Sequence, residues 1–163
     1  MDALLDRWHR SVVEAHAGLR TLPDSQVRVR PAPGRWSIKE IIGHLIDSAT
    51  HNHHRFVQAQ FTEDLAFPGY VQDDWVKRQR YQDSPWPALA TLWAGYNEHL
   101  MHLVRAIPAA VLTRPRANHT LDQIAWRPVP RDQPATPAYL IEDYVEHLDH
   151  HLGQVRHLMA LSD

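Results

Sequence analysis

The chain has 163 residues, with 17 basic and 19 acidic side chains and a formal charge of -2. This length suits one domain spanning residues 1–163 with its own hydrophobic core. The near balance of charge offers no basic surface for nucleic acid or anionic lipid, so we expect neither partner. Because the sequence has no cysteine, disulfides, thiolate-held zinc, iron–sulfur clusters and a cysteine nucleophile are excluded.

Membrane insertion and export are not expected either. No apolar run approaches the roughly 20 residues that span a bilayer, and the segment MDALLDRWHRSVVEAH lacks the basic flank and apolar stretch of a signal peptide. A cytoplasmic location is therefore the expectation. The unusual feature of the composition is histidine, which occurs 13 times.

Four segments with apolar residues at three-to-four spacing predict four long helices, and no stretch of useful length alternates as a strand does. We therefore expect an all-α protein. The first helix runs from about Asp2 to Leu22 and stops before a proline. The second begins in GRWSIKEII, where Ser37 and Glu40 are placed to form a capping box, and runs to about Phe61.

The third helix is expected from about Pro85 to Ala106, with its prolines confined to the first turn. The fourth opens at Pro137 and ends near Leu161. Long connections lie between these helices at about residues 62–84 and 107–136, and we expect regular helix in neither. Loops of this length are more often binding segments or lids than spacers, with a mobile surface loop as the alternative.

The fourth helix contains the stretch VEHLDHHLGQVRHL, which holds four histidines. On a helical wheel its apolar residues share one arc, and His147 and His151 lie at the margin of that arc. His150 and His157 fall among polar residues on the solvent side. His147 and His151 are four residues apart, about 6 Å along the axis, so both rings can converge on one ion. Capping the edge of the core or pairing with carboxylates is the alternative role.

The second helix places His44 at the same margin of its own apolar arc. His51, nearer the polar side, is the rival ligand on that helix. Three imidazoles from two helices leave one coordination position open, which is the pattern of a catalytic metal site. Neutral imidazole suits zinc, nickel, iron or copper, and the sequence does not distinguish among them.

Several other metal or phosphate sites are excluded by spacing. A zincin needs Glu after the first histidine of HExxH, and here HLDHH has Leu148 at that position. No Glu has a histidine three residues later, which excludes the paired Glu-x-x-His motifs of di-iron bundles. The six glycines form no phosphate-binding loop.

Three stretches together resemble the DinB-like (DinB/YfiT) superfamily of metal-dependent enzymes: GRWSIKEIIGHLIDS, FPGYVQDDWV and VEHLDHHLGQVRHL. The likeness spans nearly the whole chain. It implies a four-helix bundle in up-down-down-up order, often dimeric, with a divalent metal held by three histidines. Carried onto matching positions, these are His44 in GHLIDS and His147 and His151 in EHLDHH. Members of this superfamily are similar to S-transferases that use bacillithiol or mycothiol and to a mycothiol-dependent maleylpyruvate isomerase.

Further candidates surround the expected centre. Asp47 and Asp149 are placed to orient ligand imidazoles, although solvation is the favoured interpretation for acids on a helix surface. Arg55 is a candidate for binding an anionic substrate, although an ordinary ion pair within the protein is the favoured alternative. The other candidates for the pocket are Ser48, Tyr70, Asp74 and Trp75.

The leading hypothesis is a homodimeric enzyme with a three-histidine divalent metal site that acts on a small molecule. The predicted chemistry is hydrolysis or S-transfer, the latter with a low-molecular-weight thiol as cosubstrate, because the chain has no cysteine. A non-catalytic metal-binding or stress-response bundle is the second hypothesis. A bundle whose histidines serve only as polar groups at the core edge is the third.

Overall fold

The computed structural model describes residues 1–161, and helices are the regular structure that these residues form. The helices in chain order are α1 (Asp2–Leu19), α2 (Asp24–Val27), α3 (Ile38–Gln58), α4 (Gln72–Gln79), α5 (Trp86–Arg105), α6 (Ala109–Leu112), α7 (Leu121–Ile124) and α8 (Pro137–Ala160). A 3₁₀ turn occupies Tyr81–Asp83. The four long helices α1, α3, α5 and α8 confirm the all-α prediction. None of the helices in the described chain is both long and apolar enough to cross a membrane.

The start of α3 is set by the predicted capping box. The Ser37 hydroxyl accepts from the Glu40 amide at 3.2 Å, and the Glu40 carboxylate accepts from the Ser37 amide at 3.0 Å. The expected ends of α1 and α3 were each three residues too late. In α1 the reason is Pro23, which disfavours helical backbone at the preceding residue and leaves residues 20–22 as a turn.

Side-chain contacts determine the directions of the long helices. α1 runs antiparallel to α5 and parallel to α8, whereas α3 runs antiparallel to α8. The contacts that show this are Trp8 with Asn97, Leu19 with Trp86, Trp8 with Tyr144, Ser11 with Asp149, Phe56 with Tyr144, and His44 with His151. α3 and α5 are consequently parallel, and the up-down-down-up order is confirmed.

The parallel pair α3 and α5 accounts for the first long connection. A helix of this length is about 30 Å long, so residues 59–85 must return along the bundle before α5 can begin. The expectation of no regular helix in either connection was wrong, because α4 lies in the first and α6 and α7 lie in the second. These short helices occupy stretches without proline.

The two connections also pair with each other. The Leu65 amide donates to the Asn118 carbonyl at 3.0 Å, and the Thr120 amide donates to the Leu65 carbonyl at 3.2 Å. Within the second connection, Arg116 and Ala135 exchange backbone hydrogen bonds of 2.7 and 3.1 Å. Both connections are thus tied into ordered walls beside α3 and α8.

α3 is buried on every side near its start, and all residues from 37 to 49 are buried. α5 and α8 cover the face that the wheel assigned to the core, while α4 and the 3₁₀ turn cover the opposite face. The ring of Tyr81 lies directly on Gly43, where a Cβ atom would clash with it. Asp47, expected to be solvated, is therefore only 1% exposed.

Candidate metal centre

The structure brings His44, His147 and His151 together between α3 and α8. Each ring offers one nitrogen, and the three nitrogens all lie within 4.8 Å of one another. The Nε2 atoms of His44 and His147 are 3.2 Å apart. The His151 ring centroid lies 4.7 Å from that of His44 and 4.5 Å from that of His147. Two nitrogens bound tetrahedrally to one zinc-sized ion lie about 3.4 Å apart, so the closest pair already has the required spacing.

The protonation state of these imidazoles also suits a cation. Burial lowers the pKa of His44 to about 3, with a smaller contribution from His151. Burial and the neighbouring histidines lower the pKa of His147 to about 2, and burial lowers that of His151 to about 4. All three rings are therefore neutral at pH 7, which is the form that binds a metal.

Neighbouring polar groups orient two of the rings. Nδ1 of His151 lies 2.9 Å from the Gln154 amide oxygen, so Nδ1 carries the proton and Nε2 is free for an ion. Nδ1 of His147 lies 3.5 Å from the Ser48 hydroxyl, which in turn accepts from the Asn52 amide at 3.4 Å. Nδ1 of His44 has no hydrogen-bond partner within the described chain.

Two indole rings flank the histidine cluster. The Trp36 ring lies 4.9 Å from His44 and 6.3 Å from His151. The Trp126 ring lies 5.6 Å from His147 and is 47% exposed. Sequence reasoning missed Trp126 because it belongs to the second connection, where no periodic pattern indicates which side chain faces the bundle.

Open space lies on both sides of the cluster. A polar cavity of about 230 Å³ reaches His44 and His147 and extends along α3 to Arg55. A wider groove of about 760 Å³ reaches His151 and is bordered by Trp36 and Gln154. Trp126 and Gln72 border both spaces, so both long connections contribute to the boundary between the inner cavity and the outer groove.

Three of the predicted pocket residues line the inner cavity, namely Ser48, Arg55 and Tyr70. Asp74 and Trp75 do not line it. Asp74 is exposed, whereas Trp75, although 38% exposed, packs behind the cavity wall against Tyr70 at 5.5 Å.

The rival ligand His51 lies outside the cluster. Its Nδ1 is 2.8 Å from the Asp47 carbonyl, its ring stacks on Tyr70 at 3.9 Å, and its edge meets Trp75 at 4.4 Å. Its contacts support the pocket wall through Tyr70. His150 and His157 are exposed, as the wheel predicted.

The two acidic candidates contact groups other than imidazole. The Asp47 carboxylate accepts from the Tyr81 hydroxyl at 2.6 Å and from the Gln79 amide, and its second oxygen has no partner in the described chain. The expectation that Asp47 is solvated was wrong, because α4 and the 3₁₀ turn cover it. Asp149 accepts from the Ser11 hydroxyl of α1 at 2.7 Å.

Substitution of Asp47 by Asn is expected to stabilise the protein at neutral pH. Burial raises the pKa of Asp47 to about 6, partly offset by the Tyr81 and Gln79 hydrogen bonds. A folded-state pKa above the unfolded value means that stability falls as pH rises from about 4 to 6. Asp47→Asn removes this loss, so the variant should exceed wild type by about 3 kcal/mol at pH 8 and match it near pH 4. Urea unfolding of metal-stripped protein across this range measures the difference.

The exposed Asp74 provides the matched control for that substitution. Asp74→Asn should change stability by less than about 0.5 kcal/mol at pH 8. An Asp47→Asn variant that is less stable than wild type at pH 8 would contradict the burial argument.

The fold and the site together define a four-helix-bundle protein with a candidate three-histidine metal centre. The chain belongs to the DinB superfamily, whose family model matches residues 5–155. Among solved structures it is similar to YfiT from Bacillus subtilis, described as a probable metal-dependent hydrolase with an unusual four-helix bundle topology. The TM-score is 0.79 at 17% identity, over 99% of this chain and 86% of that one. No curated protein sequence matches significantly.

Proposed function

We propose that the protein is a metal-dependent hydrolase of a small-molecule substrate, with a divalent cation held by His44, His147 and His151. The observation that carries the proposal is the convergence of three neutral imidazoles, two buried and one half-buried, beside a polar cavity. Membership of the DinB superfamily and the description of YfiT as a probable metal-dependent hydrolase support it. Zinc, nickel, iron and copper all accept such a nitrogen donor set.

A cation bound there supplies Lewis-acid activation of a nucleophile. The remaining tasks belong to the chain's own residues. Ser48 orients the ring of His147, and Trp126 lies at the boundary between the inner cavity and the outer groove. Burial raises the pKa of Tyr70 to about 12, so its hydroxyl stays protonated and serves as a neutral hydrogen-bond donor in the cavity.

An S-transferase is the second candidate, and the outer groove favours it. This groove of about 760 Å³ lies against His151 and has room for a low-molecular-weight thiol. Because the chain contains no cysteine, the thiol must be a cosubstrate. The inner cavity of about 230 Å³ then takes the electrophilic partner.

An activity comparison tests both candidates. Metal-loaded, chelator-stripped and reloaded protein is assayed on a panel of small esters, amides and lactones, and with monochlorobimane plus several thiols. We expect turnover only in the loaded and reloaded samples, with His147→Ala inactive and the exposed His150→Ala active. Rates that are the same with and without metal across both panels would leave the non-catalytic metal-binding bundle as the better explanation.

We also propose that the chain forms a homodimer of single-domain subunits in the cytoplasm. The support is the resemblance of its motifs to a superfamily whose members are often dimeric. Sedimentation equilibrium at micromolar concentration should give a mass near twice the chain mass of 18.9 kDa. A monomer under these conditions would contradict the proposal.

A further inference from the structure

Arg55 is a buried cation that faces the inner cavity. Only 5% of its surface is exposed, and it shares the cavity with His44 and His147. Its guanidinium donates to two neutral acceptors, the Asn52 amide oxygen at 3.4 Å and the Pro68 carbonyl at 3.1 Å. None of the ion pairs within residues 1–161 includes Arg55, so the ordinary ion pair favoured from sequence is not formed.

An unpaired buried guanidinium is costly, because it loses water without gaining a counter-charge. Burial lowers the pKa of Arg55. Arginine nevertheless remains charged in proteins, so the cavity wall keeps a positive charge. A buried positive charge of this kind is retained where a bound ligand accepts the remaining hydrogen bonds of the guanidinium.

Asp143 is the acidic side chain that lines the same cavity as Arg55. Its oxygens are already committed, one to the Trp126 amide at 2.9 Å and the other to the Arg127 amide at 2.7 Å. It therefore fixes the second connection against α8 and offsets the charge of Arg55 only at a distance. With a dication at the histidine cluster, the cavity carries a net positive charge.

A polar chain joins the guanidinium to the histidine cluster along α3. Arg55 donates to Asn52, and the Asn52 amide donates to the Ser48 hydroxyl beside His147. These residues occupy one face of the helix, so a molecule in the cavity meets the guanidinium at one end and the imidazoles at the other. The volume of about 230 Å³ admits only a small molecule.

We propose that the inner cavity recognises a small carboxylate, with Arg55 as the residue that determines this specificity. The planar guanidinium fork matches a carboxylate with two parallel hydrogen bonds. The opposite end of the molecule faces the three-histidine centre, and for that end the inference rests on the proposed function.

The test uses cobalt-loaded protein and two thiols that differ only in their tail, 3-mercaptopropionate and 3-mercaptopropionamide. Both present the same sulfur to the metal, and the thiolate-to-cobalt absorption band reports binding. Wild type should bind the carboxylate about tenfold more tightly than the amide, the usual effect of a charge-assisted hydrogen bond. In Arg55→Gln the two affinities should lie within about twofold, with that for the amide unchanged.

Two further variants serve as controls. Arg105→Gln, at an exposed position of α5, should retain the full preference. Arg55→Lys keeps the positive charge but lacks the planar guanidinium fork, so it should retain only part of the preference for the carboxylate. Equal affinities of wild type for the two thiols would overturn the inference without any variant, and so would a preference that survives in Arg55→Gln.

The two proposals can fail separately. Protein that binds cobalt but does not distinguish the thiols keeps the metal centre and loses the carboxylate site. If the protein binds no cobalt, propionate and propionamide are compared by amide chemical shifts in isotope-labelled protein. A preference for propionate that disappears in Arg55→Gln then upholds the carboxylate site, and its absence overturns that site.

Discussion

Alanine at His147 should abolish metal binding. Wild-type protein purified without a histidine tag is expected to contain about one divalent ion per chain, and His147→Ala less than about a tenth of that. In the proposed centre His147 lies close to both other histidines, since its Nε2 is 3.2 Å from that of His44 and its ring centroid is 4.5 Å from that of His151. Removing it leaves two donors, which should lower affinity at least about a hundredfold. Elemental analysis and competition with a chromophoric chelator measure both quantities.

His150 provides a control on the same helix. It is exposed, and its ring packs against Trp126, the Gln154 amide and the edge of His151, but it is not one of the three histidines whose nitrogens converge. His150→Ala should keep full metal content, whereas His44→Ala should lose it. Stoichiometric metal that persists in both His44→Ala and His147→Ala would rule out the three-histidine assignment.

Alanine at Asn97 should produce the largest loss of stability. Asn97 is completely buried in α5, and its side-chain oxygen accepts from the Trp8 indole at 2.9 Å and the Tyr144 hydroxyl at 2.8 Å. Its amide donates to the Trp93 carbonyl at 2.9 Å. Asn97→Ala leaves two buried donors without an acceptor, which should cost about 3–5 kcal/mol. Denaturant unfolding measures the loss.

A double-mutant cycle separates the hydrogen bonds from the packing at Asn97. Tyr144→Phe removes one of the two donors, so it should lessen the effect of a subsequent Asn97→Ala substitution by about 1 kcal/mol. Asn118→Ala, at an exposed asparagine, should cost less than about 1 kcal/mol. Strict additivity of the two core substitutions would show that the network contributes nothing beyond packing.

Much of the fold could be predicted from local patterns. Helix start and stop signals act over a few residues, so the Ser37 capping box and the proline before α5 located their helices closely. Periodicity identified the buried arcs of α3 and α8, and with them the three histidines that the structure brings together. The superfamily resemblance supplied the order of the helices, which no local pattern contains.

The environment of Asp47 shows why the wheel alone was insufficient. A wheel divides a helix into one buried arc and one solvent arc, and it placed Asp47 toward solvent. α4 and the 3₁₀ turn cover that second arc of α3, because the parallel α3–α5 pair brings the first connection back along the bundle. Asp47, predicted to lie at the surface, is therefore buried by chain segments that are distant from it in sequence.

Local sequence was enough to determine the helices, their apolar faces and the phase of the histidines, because each depends on neighbours within two turns. The inner cavity was decided by tertiary structure alone, since its walls come from α3, α8 and both long connections. The lack of an ion pair between Arg55 and any carboxylate of residues 1–161, and the placement of Trp126 beside His147, are consequences of that assembly. Hydrogen bonds between residues more than 50 positions apart hold those walls, and no short-range pattern encodes such pairs.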